Sequence, residues 1–157
     1  MLKRLKEYLD QHNVKYQTIT HSVAYTSQEI AAATHISGQQ IAKVVMVKAD
    51  GKMIMTVLPA SHVVDLRRIQ EICGATHVEL ASEPEYSPIF EDCEPGAMPP
   101  FGNLYNLKVY ASTPLSDHEH IVFNAGNHRE LVKLSYKDFD NLVTPETATF
   151  SIKDSPG

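Results

Sequence analysis

The chain has 157 residues, of which 43% are hydrophobic and 21% charged, with a formal net charge of −5. That length predicts one domain whose core is large enough to fold without a disulfide or metal staple, and the balance excludes a mostly disordered chain or a collagen-like repeat. The acidic balance excludes a duplex-DNA binder with a broad basic surface. It leaves room for a local rim holding one RNA end, for which Lys3, Arg4, Lys6, Arg67, Arg68, Arg129 and Lys133 are candidates, although solvated helix faces are the default account of most of them.

No apolar run has the roughly 18–20 residues of a membrane helix. The N-terminal segment carries Lys3, Arg4, Lys6, Glu7 and Asp10 where a signal peptide needs an apolar stretch, so a cytoplasmic protein is expected. Cys73 and Cys93 lack CxxC spacing, which fits a reduced compartment.

Leu2, Leu5 and Leu9 predict a helix over 2–12 with one apolar stripe. Val14, Tyr16 and Thr18 alternate, which predicts a strand over 14–20. Thr26 and Glu29 have capping-box spacing for a helix running to about Thr34. The apolar runs 41–49 and 53–59 flank Asp50-Gly51, a two-residue hairpin signal. In that register Ala49 faces Lys52 and Lys43 faces Leu58. Pro59 closes the second strand. Residues 64–73 predict a helix, with Asp65 near its start and Gly74 as the stop. Ser82 and Glu85 repeat the capping spacing, with Pro84 in the first turn, for a short helix to about Phe90.

The Pro- and Gly-rich segment 93–105 predicts a loop. Strands are expected at 107–111, 120–124 and 130–135, and a helix from Ser135 to Leu142. The end, 151–157, is expected to be loose. These elements predict an α+β fold in a single domain over 1–150. Its sheet would be mixed and mostly antiparallel, or a partly closed barrel, flanked by helices.

Three constellations could carry chemistry. Lys43 stands near the start of a strand that is apolar on both faces; such a lysine either snorkels to water or is held in a pocket as a compact cation. Lys48 is the comparison, because it sits by the hairpin tip where snorkelling is easy. The second is Gly96-Ala97-Met98-Pro99-Pro100-Phe101-Gly102. Its prolines stiffen the chain and its glycines allow close approach, so it can aim amides at an oxyanion or serve as a tight connection. The third is the turn Phe123 to Arg129. There Asn124 ends a strand and Gly126 permits a sharp bend; the Asn can hold water or a polar ligand group, or satisfy its own backbone.

His118-Glu119-His120 offers two histidines on one strand face but no third metal ligand at a recognisable spacing, so no metal is assigned. GxSxG, GxGxxG and P-loop patterns are absent, and no cofactor is expected.

In this order the motifs resemble the YbaK and prolyl-tRNA-synthetase-associated family of aminoacyl-tRNA deacylases. The matching pieces are His21 with the helix opening at Thr26, QIAKVVMVKADG, VDLRRIQEICGA, GAMPPFG and FNAGNH. The resemblance spans about 14–143. It implies trans-editing: metal-independent hydrolysis of the ester that joins a wrong, small amino acid to the terminal adenosine of a tRNA. The partner would be the aminoacyl-tRNA acceptor end, with an aminoacyl-tRNA synthetase as a candidate second partner and no membrane. Carried over residue by residue, the family's catalytic positions fall on Lys43, Asn124 and Gly126, with His128 as the candidate histidine. Substrate contacts fall on His21, Thr26, Val45, Gly96, Met98, Pro99, Pro100, Phe101, Gly102 and Phe123. A binding module without turnover, and a metal hydrolase built on His118 and His120, are the alternatives.

Overall fold

The computed structural model describes residues 1–154, apart from the side chain of Ser27. Helix α1 (Lys3–Gln11) buries Leu5 and Leu9, as the apolar stripe requires. Strand β1 (Tyr16–Thr20) follows. Thr26 caps α2 (Ser27–Thr34): its hydroxyl oxygen accepts the Glu29 backbone N–H at 3.1 Å, and the hydroxyl donates to the Glu29 carboxylate.

Strands β2 (Ala42–Ala49) and β3 (Lys52–Pro59) form the expected hairpin. Asp50 and Gly51 take φ of +50° and +80°, as a type I′ turn requires, and Lys43 pairs with Leu58. The Asp50 carboxylate accepts the backbone N–H groups of Thr76 and His77, which hold its pKa below the usual carboxylate range.

A short strand, β4 (His62–Val64), precedes α3 (Leu66–Cys73). Asp65 caps that helix by accepting from Arg67 and Arg68, and Gly74, at φ +70°, ends it. Then come β5 (Val78–Leu80) and α4 (Glu83–Tyr86), which continues as a 3₁₀ turn over Ser87–Phe90. The single helix expected here tightens because Pro88 has no N–H for an α-helical bond.

The remaining elements are β6 (Val109–Ser112), β7 (His120–Asn124), β8 (Glu130–Ser135), α5 (Tyr136–Val143), β9 (Glu146–Ala148) and β10 (Ser151–Lys153). The loose end expected from 151 is corrected for 151–153: β10 pairs antiparallel with β4, Ser151 opposite Val64. Residues 155–157 of that expectation lie outside the described residues.

The sheets run β1-β8-β7, β5-β2-β3-β6-β9 and β10-β4. They stay open and do not close into a barrel. Pairing is antiparallel except at β3–β6 and β6–β9. One isolated parallel bridge, Ile41 to Val122, joins the three-stranded sheet to the five-stranded one. The main core contains Leu5, Leu9, Met55, Phe101, Phe123 and Phe139. A second cluster, with Ala24, Ile30, Ile41, Ala60, Val122 and Leu131, lies against α2. A third places Ile69 of α3 against Val47, Ile54 and Leu58. No helix among the described residues is long and apolar enough to cross a membrane.

Gly102 belongs to the main core. A Cβ there would stand 2.7 Å from Val109 Cγ2 and 3.2 Å from Met55 Sδ. Gly102→Ala should therefore destabilise the fold by about 1–3 kcal/mol through overpacking, read as a lower midpoint in urea with an unchanged m-value.

Candidate active site

Strand β2 has β3 along the whole of one edge. Its other edge is shared. β5 pairs only with residues 47–49, and β7 meets it at Ile41, where Val122 N–H also donates to Gln40 O at 3.2 Å. The stretch around Val44 and Val45 therefore has no strand neighbour on that side. A cleft of about 180 Å³ opens there. Val44, Val45 and Met46 form one wall, Gly96 and Met98 another, and Leu80, Ala81 and Tyr86 close the end.

Two residues on from the Ile41–Val122 bridge stand Lys43 and Asn124. Alternation places both on the face of Ile41 and Val122, at adjoining strand ends. The Lys43 ammonium donates to Ala60 O at 3.3 Å and is turned toward that carbonyl, with no hydrogen bond to Asn124 or to the 96–102 loop. Burial lowers its pKa, and the charge of Asp154 partly opposes this. No carboxylate among the described residues lies within ion-pair distance of it. Lys48, expected to snorkel at the hairpin tip, is instead held by two carboxylates. It pairs with Glu79 at 3.3 Å and with Glu85, and the hydrogen bonds to these carboxylates raise its pKa. Asn124 Oδ1 and His21 Nε2 are buried with no partner among the described residues, an unusual and costly state for a polar atom.

The Gly- and Pro-rich loop is stitched to the turn that follows Asn124. Glu94 N–H donates to Gly126 O at 2.8 Å, and Gly126 N–H donates to Ala97 O at 3.1 Å. His128 N–H donates to the Glu94 carboxylate at 2.8 Å, and the His128 ring meets Pro95 O through Nε2, also at 2.8 Å. A carbonyl oxygen only accepts, so Nε2 carries the proton; in the neutral ring Nδ1 is then an acceptor, buried and unpartnered. Gly126 has φ +99°, and a Cβ there would stand 2.9 Å from Leu2 Cβ, so both backbone and packing demand glycine. The loop's flanks are pinned to α1 by Arg4, which pairs with Asp92 at 3.1 Å and lies over the Tyr105 ring. The N–H groups of Gly96 and Met98, both residues of the cleft wall, have no hydrogen-bond partner among the described residues.

The structure thus brings Val45, Gly96 and Met98 to one cleft and hydrogen-bonds Gly126 and His128 to the start of its loop, while the register sets Lys43 and Asn124 on one sheet face outside the cleft lining. It gives other expected substrate contacts different work. Phe101 and Phe123 are fully buried and pack on each other, their rings 5.6 Å apart. Pro99 and Pro100 are buried beneath the loop, and Gly102 is dictated by Val109. The Thr26 hydroxyl is engaged in capping. Among the described residues no three His, Cys, Asp or Glu side chains gather as a metal site, so His118 and His120 acquire no third ligand. Sequence reading missed Leu80, Ala81 and Tyr86, because a three-residue strand and a one-turn helix carry no periodicity. It also missed the Ala60 carbonyl and the Glu94–Pro95 backbone, which have no side-chain signature.

A model of the aminoacyl-tRNA editing domain matches residues 21–142. The chain belongs to this family. The editing domain is 28% identical over 117 residues to the proline–tRNA ligase of Staphylococcus epidermidis, covering 73% of this chain and 20% of the ligase. It is 30% identical over 84 residues to that of Bacillus cytotoxicus, covering 54% of this chain and 15% of the ligase. It therefore spans only a fraction of these enzymes. Two solved structures share its fold. The hypothetical protein APE2540 has a TM-score of 0.87 at 18% identity, covering 96% of this chain and all of that one. A protein provisionally described as a trans-editing enzyme for prolyl tRNA synthetase has a TM-score of 0.81 at 19% identity, with 98% and 97% covered.

Because folding lowers the Lys43 pKa, its charge opposes folding at neutral pH. That cost disappears once pH rises above the ordinary value of 10.5, where the amine is neutral folded or unfolded. Lys43→Met should be at least as stable as the parent at pH 7. Any advantage should shrink as pH climbs through the lowered pKa to above 10.5, measured by urea unfolding of both chains across that range.

Proposed function

We propose that this editing domain is a deacylase that hydrolyses the ester of a mischarged aminoacyl-tRNA carrying a small amino acid, without a metal. The reading is supported by the register that sets Lys43 and Asn124 on one sheet face at adjoining strand ends, and by a separate cleft where Gly96 and Met98, whose amides have no partner among the described residues, face Val44 to Met46. Membership of the editing family supports the same reaction class.

An aminoacyl ester is already activated, so positioning and charge stabilisation are enough for catalysis. Lys43, released from the Ala60 carbonyl, anchors the terminal nucleotide or the acyl carbonyl as a compact cation. The Gly96 and Met98 amides donate to the oxyanion as it forms. Asn124, with its unpartnered Oδ1, and the Gly126 turn hold the attacking water. His128 fixes the loop through Pro95, and its Nδ1 is the remaining acceptor. No carboxylate or imidazole among the described residues lines the cleft, so the neighbouring ribose hydroxyl of the substrate assists the proton transfer.

The cleft's 180 Å³ is below the roughly 300–1,000 Å³ of ordinary small-molecule pockets, which suits alanine, serine, cysteine or proline. A synthetase pocket separates residues that differ by one methylene by only about 1–3 kcal/mol, which is the reason for a second sieve. The proposed partners are the tRNA acceptor end and, given the ligases it is similar to, a prolyl-tRNA synthetase.

Single-turnover deacylation of a panel of separately mischarged tRNAs tests this. One small aminoacyl-tRNA should be cleaved, and Lys43→Ala should slow that cleavage at least about a hundredfold, the scale of losing a main electrostatic contact. Parent and variant reacting at equal rates would remove Lys43 from the mechanism. Saturable binding with no hydrolysis anywhere in the panel would make the chain a binding module.

A further inference from the structure

Beside the turn that follows Asn124 lies a hollow of about 260 Å³, lined by Val23, Tyr25, Glu94, Asn127, His128 and Arg129. Backbone bonds fix its walls. His128 N–H donates to Glu94 Oε1 at 2.8 Å, and Asn127 Oδ1 accepts the N–H groups of Arg129 and Glu130 at 2.8 and 2.9 Å. His21 N–H donates to Arg129 O at 2.8 Å and Ala24 N–H to His128 O at 3.1 Å, which lays the 21–25 segment alongside. The Tyr25 ring rests against the His128 ring, with centroids 4.8 Å apart. Gly96 of the cleft is a near neighbour, since a Cβ there would stand 3.7 Å from His128 Cε1.

The two charges of this lining are unpaired. Other charged groups nearby hold partners: Glu130 takes the Met1 ammonium at 2.6 Å and the Asn127 amide at 3.0 Å, and Arg4 pairs with Asp92 at 3.1 Å. The Arg129 guanidinium has no hydrogen bond or ion pair among the described residues, and the second carboxylate oxygen of Glu94 has none either. Glu94 and Arg129 line one hollow, yet they stand too far apart to pair with each other. Opposite charges held in one hollow without meeting fit a ligand that carries both signs. His128, only 6% exposed, adds Nδ1, a second acceptor in the lining without a partner among the described residues.

We infer that this hollow binds the zwitterion of a free α-amino acid, its ammonium on the Glu94 carboxylate and its carboxylate on the Arg129 guanidinium. The nitrogen and carboxylate oxygens of such a ligand stand roughly 3 Å apart. A hydrogen bond of about 2.9 Å at each end lets it bridge groups as much as roughly 9 Å apart. The guanidinium fork matches a carboxylate with two parallel bonds, and Val23 and Tyr25 offer the ligand's side chain an apolar wall. An aminoacyl ester has no free carboxylate for Arg129, so this site is distinct from the one proposed for deacylation.

Calorimetric titration of the full chain with L-alanine and with L-proline tests this, with the carboxamide and the N-acetyl derivative of each as controls. One of the two amino acids at least should bind saturably. Its carboxamide, which lacks the carboxylate, and its N-acetyl form, which lacks the ammonium, should each bind at least about tenfold more weakly, the scale of one charge-assisted contact. Glu94→Gln, which keeps an acceptor for the His128 N–H, and Arg129→Gln should each cause the same loss at an unchanged urea midpoint. Arg129→Lys should lose less than Arg129→Gln. Absence of saturable binding, equal affinity for acid and carboxamide, or folded Glu94→Gln and Arg129→Gln chains that bind like the parent would each overturn the inference. The titration involves no ester cleavage, so its failure leaves the deacylase proposal intact, and a mischarged-tRNA panel without hydrolysis leaves the zwitterion site intact.

Discussion

The shared edge of β2 is the constraint from which the candidate site follows. A strand interior to a sheet normally has both edges hydrogen-bonded. Here β3 takes one edge entirely, while β7 and β5 divide the other and leave a gap around Val44 and Val45. The gap is tolerable because the strand's two faces are still buried, against the main core and against α3. The result is a cleft with rigid walls, with Lys43 and Asn124 at adjoining strand ends outside its lining. Rigid elements place side chains more precisely than free loops do.

The Gly- and Pro-rich loop completes that cleft because it is not free. Its backbone exchanges hydrogen bonds with Gly126, the His128 ring holds the Pro95 carbonyl, and Arg4 ties its flanks to α1. Phe101, Pro99 and Pro100 then sink beneath it into the core. Three buried side-chain atoms here have no partner among the described residues: Asn124 Oδ1, His21 Nε2 and His128 Nδ1. Buried polar groups without partners cost stability. The half-buried Lys43 adds to that cost.

Much of this was legible in the residues. The hairpin register, the Thr26 cap and the Gly74 stop follow from local rules, and all appear as expected. Short elements were not legible. β4, β5, β9 and β10 have three residues each, too few for alternation to register. Phe101, Gly102 and Phe123 read as site residues because they stand beside Met98 and Asn124 in the chain. The Phe101 and Phe123 rings turn into the core instead, and Gly102 packs against Val109 and Met55, because tertiary packing sets direction independently of distance along the chain.

The sequence by itself determined the single α+β domain and its family, because turn chemistry, capping and motif order are local properties of the chain. Only the tertiary structure decided that β7 approaches β2 in parallel at Ile41. That one non-local pairing, between residues 81 positions apart in the chain, sets Lys43 next to Asn124. No local pattern encodes it, because the bridge forms where Ile41 and Val122 are buried together in the cluster against α2.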